Sequence, residues 1–233
     1  MLWKAEPWDS DVLGVPVARV LQLHDPCTVI KECRARNIRY VFAKVPLHNV
    51  QALHDFQDRG FRTICGELTM ELDDKVKLPP EDDTFRLAAP HDEDRLREIA
   101  ACSFSHSRFH FDPTISDDVA NHSRVVWVSN AVRNLLETPC AVVVNRELSG
   151  FVVCTADADG ERGSIDLIAV HPRLRGDGRG RALCTQGIHW LKRRCARVEV
   201  VVQLANIPAV NMYLSEGFRP VAPRLVMRRW LEY

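Results

Sequence analysis

The chain has 233 residues, 46% of them hydrophobic, and carries 31 basic and 31 acidic side chains. That is enough apolar surface for a packed core in one large domain or two small ones, so a disordered chain is excluded. With zero formal charge there is no global field toward nucleic acid or anionic lipid, and any basic site has to be local.

The opening Met-Leu-Trp-Lys-Ala-Glu-Pro-Trp is not a basic segment followed by an apolar one, and no run of about 18 apolar residues follows, so neither secretion nor a membrane span is expected. Arg39 to Val45 alternates like a strand, Asn49 to Arg59 has helical spacing and ends at Gly60, and Arg62 to Leu72 returns to extended character. The charged, Pro-Pro-containing segment Asp73 to Asp83 interrupts the periodicity and is the best domain boundary, dividing a small α/β unit at 1–78 from a larger one at 79–233. In the larger unit, Asp92 to Cys102 and Ser123 to Leu136 are helical. Cys140 to Val144 and Gly150 to Thr155 form a hairpin, and Gly163 to Val170 is a further strand. A long helix from about Gly178 to Cys195, a strand Val198 to Leu204, a helix Pro208 to Glu216 and a last strand near Leu225 to Leu231 complete the chain. Helices alternate with strands, so the class is α/β, or α+β with a mixed sheet.

The eight cysteines, at 27, 33, 65, 102, 140, 154, 184 and 195, have no metal-ligand spacing and most lie in apolar runs. They read as reduced thiols, which points to the cytoplasm, and no metal is expected.

The chain also repeats itself. Asn206, Ala209, Tyr213, Gly217, Phe218 and Arg219 align without a gap on Asn49, Ala52, Phe56, Gly60, Phe61 and Arg62, and apolar strands precede both. Where the second copy has a phenol at Tyr213, the first has Phe56, an isosteric ring that cannot donate a proton.

The strongest chemical signal is the run Ile165 to Arg181, a strand followed by a glycine-rich turn that opens a helix. Glycines at 176, 178 and 180 permit backbone conformations barred to other residues and let main-chain N–H groups approach a ligand. Together with the positive end of the helix dipole they favour a pyrophosphate, and Arg173, Arg175, Arg179 and Arg181 crowd the same turn. A Walker loop would need Lys-Ser or Lys-Thr after its last glycine, and a Rossmann fingerprint has another spacing near the start of its domain; neither is present.

Val170-His-Pro, Arg175, Gly178 and Gly180 resemble the acyl-CoA-binding motif of the GNAT superfamily of N-acyltransferases, and Asn206, Ala209, Tyr213, Gly217 and Phe218 resemble its second motif. The likeness covers roughly residues 84–233 and implies a GNAT fold with a splayed mixed sheet, acetyl-CoA as cosubstrate and direct attack by an amine. The pyrophosphate would lie on the amides of Gly176, Asp177, Gly178, Arg179 and Gly180, with the Arg175 side chain. The resemblance also implies that the backbone of Leu167, Ile168, Ala169 and Val170 pairs with the pantetheine arm and polarises the thioester, that Asn206 bonds that arm, and that Ala209 shares the motif. The leaving thiolate, of pKa about 8.5, needs a proton, and the Tyr213 phenol, of pKa about 10, is a fitting donor.

The acceptor side falls to the loop Ser103 to Asp112, where His106, Arg108, Phe109 and His110 are the candidate substrate-binding residues. His106 and His110 have a suitable pKa range for a general base, with Asp166 as a further candidate. Phe104 to His110, the helix with Trp127, Asn130 and Arg133, and the stretch Asp9 to Gly14 are similar to the TDP-fucosamine acetyltransferases of enterobacterial common antigen synthesis. That likeness spans nearly the whole chain and implies a TDP-linked 4-amino-deoxysugar, with Arg108 and Arg133 against its diphosphate. The alternative is a protein amino terminus, a peptide or a small amine. The amino-terminal unit lacks the glycine turn and the phenol, so its strands extend the sheet or form a homodimer face rather than bind CoA.

Overall fold

Strand and helix alternate as the hydrophobic spacing requires. The computed structural model describes every residue except Glu137 and Tyr233. In chain order the elements are β1 (Trp3–Ala5), α1 (Pro7–Leu13), β2 (Val17–Val20), α2 (Pro26–Ala35), β3 (Tyr40–Pro46), α3 (Val50–Asp58) and β4 (Arg62–Leu72). After them come β5 (Phe85–Leu87), α4 (Glu93–Ser103), α5 (Asp117–Val132), β6 (Cys140–Asn145), β7 (Gly150–Ala156), β8 (Arg162–Val170), α6 (Arg179–Lys192), β9 (Arg197–Gln203), α7 (Ile207–Ser215) and β10 (Phe218–Trp230). The α/β class expected from the sequence is the one observed.

Helices α5 and α6 end at Val132 and Lys192, short of the expected Leu136 and Cys195, and two element starts differ from the periodicity by more than a residue. Helix α5 begins six residues before Ser123: Ser116 caps it by accepting from the Val119 amide, and the polar first turn Asp117-Asp118 carries no apolar signal. Strand β10 begins at Phe218 rather than near Leu225, because Pro220 and Pro223 stay in the sheet across a register shift between Pro220 and Ala222.

Among the described residues, ten strands form one sheet in the order β1-β2-β3-β10-β4-β9-β8-β7-β6-β5. The predicted division at 78/79 therefore does not separate two sheets. The carboxy-terminal β10 lies between β3 and β4, and β4 lies between β10 and β9, all antiparallel. The order is symmetric about the β10/β4 pair. On one side β3 runs parallel to β2, which is antiparallel to β1; on the other, β9 runs parallel to β8, which is antiparallel to β7. Each half thus donates its last strand to the other. The segment 73–84 then carries the chain from the sheet centre to the far edge at β5, passing α6, where the Pro79 carbonyl accepts from His189 Nε2 at 2.9 Å.

Helices α6 and α7 cover one face through Leu183, Ile188, Leu191 and Tyr213, while α4 and α5 cover the other through Leu96, Ile99, Val128 and Val132. On the amino-terminal strands, α2 and α3 bury Val29, Cys33, Ala52 and Phe56. Their other face carries Val17, Tyr40 and Phe42 beneath Leu13 and Ile115. At about 25 cal/mol per Å² of apolar surface, these clusters supply most of the driving force for the sheet.

The repeat is geometric as well as sequential. Asn49 and Asn206 each cap a helix by accepting from the amide three residues on, with φ/ψ of −89/67 and −86/66. Phe56 meets Phe61 and Tyr213 meets Phe218, both edge-on. Gly60 and Gly217 close the two helices at φ 78 and 92.

Candidate active site

The parallel β8/β9 ladder holds only from Arg162↔Arg197 to Ile165↔Val200. At the next residue the β7/β8 register shifts, leaving Asp166 as the extra residue between the Val153↔Leu167 and Cys154↔Ile165 pairs. Beyond this bulge the two strands part, and a cleft of about 500 Å³ opens between Asp166–Val170 and Val201–Gln203.

One end of the cleft is the start of α6. Gly176 and Gly178 sit at φ 103 and 82, a region that penalises any side chain, although a Cβ there would meet nothing. The helix has Gly178 as its N-cap and no side-chain cap, so the first-turn amides face the cleft. At Gly180 a Cβ would only come into ordinary contact, 3.4 Å from Met212 Sδ on α7. The equivalent helix of the other half, α2, is capped by its own carboxylate, Asp25, which accepts from the Thr28 amide at 2.9 Å. Where α6 is open to an anion, α2 already has one.

The arginines of the turn are mostly engaged. Arg175 donates to the carbonyls of Val170 at 3.0 Å and Ser103 at 2.8 Å, bracing the strand end against α4. Arg179 pairs with Asp177 and Glu147, and Arg181 with Glu216. Arg173 is exposed and has no side-chain partner among the described residues.

Tyr213 and Asn206 line the same cleft from α7, with Ala209 beside them. The Tyr213 side chain is buried to 3% exposure, and burial raises its phenol well above 10. Asp166 is the one carboxylate in the lining among the described residues. Burial raises it above the ordinary carboxylate range, against opposing hydrogen bonds from Ser164 and Thr155; the Thr155 hydroxyl lies at 3.0 Å.

The acceptor loop is placed differently from expectation. His106 lines the cleft. Arg108 does not: it is paired with the buried Asp9 of α1 and stacks on Phe42 and Phe109 at 4.4 Å each. Phe109 is a core side chain at 1% exposure. Both ring nitrogens of His110 are engaged, Nδ1 with Ser107 at 2.7 Å and Nε2 with Asn121 at 3.1 Å, so it is no free base. Arg133 is bound to Glu93 at the far end of α5. The reasons differ: Arg108 and Phe109 pack against the amino-terminal half through Asp9, Phe42 and Trp8, whereas His110 is held within the loop and by α5 and Arg133 by α4. Asp112, fully buried, accepts from Arg228 through both oxygens, from the Tyr40 hydroxyl at 3.0 Å and from Thr114.

The periodicity missed Arg124. It reaches the cleft from the middle of α5, a helix whose first turn the hydrophobic pattern did not reveal. Of the cysteines, Cys33, Cys154, Cys184 and Cys195 are buried, whereas Cys27 and Cys102 are exposed. No described helix is long and apolar enough to cross a membrane.

Residues 94–218 match the acetyltransferase (GNAT) family. The chain is 28% identical over 187 residues to the spore coat polysaccharide biosynthesis protein SpsD of Bacillus subtilis, covering 77% of this chain and 62% of that protein. A 58-residue stretch, 24% of this chain and 18% of the relative, is 40% identical to the mycothiol acetyltransferase of Acidothermus cellulolyticus. The chain thus spans less than two thirds of the length of either relative. Among solved structures, a tandem GNAT protein from the clavulanic acid biosynthesis pathway superposes with a TM-score of 0.63 at 13% identity, over 93% of this chain and 76% of that one. A GCN5-related N-acetyltransferase from Sphaerobacter thermophilus superposes with a TM-score of 0.60 at 15% identity, over 92% and 72%.

Proposed function

The chain belongs to the acetyltransferase (GNAT) family, and from that membership we propose that it moves acetyl from acetyl-CoA to the amine of a TDP-linked 4-amino-deoxysugar. The observation that carries the reading is the cleft where β8 and β9 part. It joins an uncapped, glycine-opened helix start to a buried phenol across the exposed backbone edge of β8.

In this reading the diphosphate of CoA lies on the amides of Gly176 to Gly180, and the thioester lies along Leu167 to Val170, whose freed N–H groups polarise its carbonyl. The arm is held by the side-chain amide of Asn206, whose oxygen already caps α7. The neutral amine attacks the carbonyl carbon, the carbon–sulfur bond breaks, and the departing thiolate takes its proton from Tyr213. Burial keeps that phenol protonated throughout the neutral range. The proton lost by the amine goes to Asp166, whose raised pKa brings it nearer to that of a useful base. The sugar acceptor is supported by the likeness to SpsD, a protein named for spore coat polysaccharide biosynthesis.

The test is thiol release from acetyl-CoA with a panel of TDP-amino sugars, α-amino peptides and polyamines. Turnover of the TDP-amino sugars is expected; turnover of peptides or polyamines alone would overturn the acceptor.

A further inference from the structure

The cleft runs from one face of the sheet to the other. Its α6/α7 side holds the phosphate-binding turn and Tyr213, while its opposite side is walled by Phe104, Ser105, His106 and Arg124. Of the three guanidiniums in the lining, Arg175 is held by carbonyls and Arg179 by carboxylates. Arg124 makes no ion pair among the described residues; its Nε is buried with no hydrogen-bond partner, and its guanidinium faces the Phe104 ring at 5.7 Å.

The carboxylates whose fields reach Arg124 are already held, Asp9 by Arg108 and Glu67 by Lys44 and Arg224. One turn along α5, the Trp127 indole packs edge-on against Trp8 at 4.8 Å, and both indole N–H groups are buried without an acceptor. Arg108 Nη1 is in the same state. Behind the acceptor loop, then, lie several unsatisfied donors and an uncompensated cation. Buried donors of this kind are costly unless an acceptor arrives.

We propose that Arg124 is the receptor for an anionic group of the acceptor, the sugar-proximal phosphate of its diphosphate, bound at the end of the cleft opposite the CoA diphosphate. This rests on the nucleotide-sugar reading above. Burial and the neighbouring Arg108 lower the Arg124 guanidinium to about 10, which leaves it charged at neutral pH and in need of a counterion. A planar fork suits bidentate contact with phosphate, and a partly desolvated site strengthens it. The structure thus moves to Arg124 the role the sequence assigned to Arg108, whose charge Asp9 already neutralises.

The test compares kcat/KM of the wild type and of Arg124→Gln for a TDP-linked 4-amino-deoxysugar and for the methyl glycoside of the same amino sugar. The wild type is expected to prefer the nucleotide sugar. In Arg124→Gln that preference should fall by about 10- to 100-fold, the effect of losing a charged hydrogen bond, with KM for acetyl-CoA unchanged; Arg124→Lys should restore part of it. Equal losses on both sugars, or a loss of acetyl-CoA binding, mean a structural role and overturn the proposal while leaving the acceptor reading intact.

Failure of the wild type on both sugars sinks the acceptor reading instead. The site is then judged by calorimetry of inorganic pyrophosphate added to CoA-saturated protein. Binding to the wild type that Arg124→Gln lacks supports an anion receptor, and no binding, or equal binding to both, refutes it.

Discussion

Tyr213 and Phe56 occupy equivalent positions on α7 and α3, and one oxygen atom separates them. Phe56 is fully buried against Phe61; Tyr213 borders the cleft. Replacing Tyr213 by Phe is expected to lower kcat by about 10²-fold while leaving the affinity for acetyl-CoA nearly unchanged, since a proton donor is lost and packing is kept. Steady-state kinetics with calorimetry of CoA binding checks this, and unaltered turnover would remove Tyr213 from the chemistry. Asp166 allows a test of sign. Its carboxyl is raised, so the base form is lost as pH falls through a pKa higher than the ordinary value of about 3.9. The acid limb of kcat/KM should therefore lie above that of an exposed aspartate, and it should vanish in Asp166→Asn along with most of the rate.

These residues differ in how legible they were. The glycine turn, Asn206 and Tyr213 stand at fixed spacings around single helices, so the pattern that makes the helix also brings them to the cleft. Asp166 was visible only as a polar residue in an apolar strand, and the bulge that directs it is a property of its pairing with β7. Arg108 was misplaced because a loop arginine in a sequence carries no sign of a partner 99 residues away.

At the scale of elements, the segment between α4 and α5 is set by its anchors. Asp112 is fully buried, and burial alone would raise its carboxyl; the hydrogen bonds from Arg228 and Thr114 outweigh this and hold it below the usual range. A carboxyl lowered in the folded state stabilises the fold above its unfolded pKa of about 3.9, and that contribution is lost as pH falls through its folded value. Asp112→Asn leaves Arg228 without its counter-charge and is expected to cost about 3 kcal/mol or more, because a buried pair is broken from one side. In denaturant melts the gap between the two proteins should be smaller at pH 3, below the unfolded pKa, than at pH 7; an equal gap at both would refute the ion-pair account. Because the loop carries His106 into the cleft, the same variant should raise KM for the acceptor more than for acetyl-CoA.

At the scale of the molecule, the exchange of β4 and β10 makes the halves interdependent. β10 is hydrogen-bonded on both sides by strands of the amino-terminal segment, and β9 has β4 as its outer neighbour. A fragment spanning residues 79–233 retains both family motifs yet loses β3 and β4, which leaves β10 unpaired and one edge of β9 open. We expect that fragment to be unfolded or aggregated, and co-expression with 1–78 to rescue it. Far-UV circular dichroism and gel filtration decide this, and a monomeric, cooperatively folding 79–233 fragment would refute the interdependence.

The amino acid sequence by itself determined the glycine-rich turn, the phenol, the existence of a repeat and, except for the short β5, the element types from Arg39 onward. Each of these depends on periodicity or spacing over at most a few tens of residues. Only the tertiary structure decided that the repeat exchanges strands, that the amino-terminal half anchors the loop between α4 and α5, and that Arg124 rather than Arg108 faces the cleft. Those outcomes depend on which groups meet across the sheet, between residues as far apart as Tyr40 and Asp112 or Lys44 and Val226, and no local pattern encodes a pairing whose partners lie so far away along the chain.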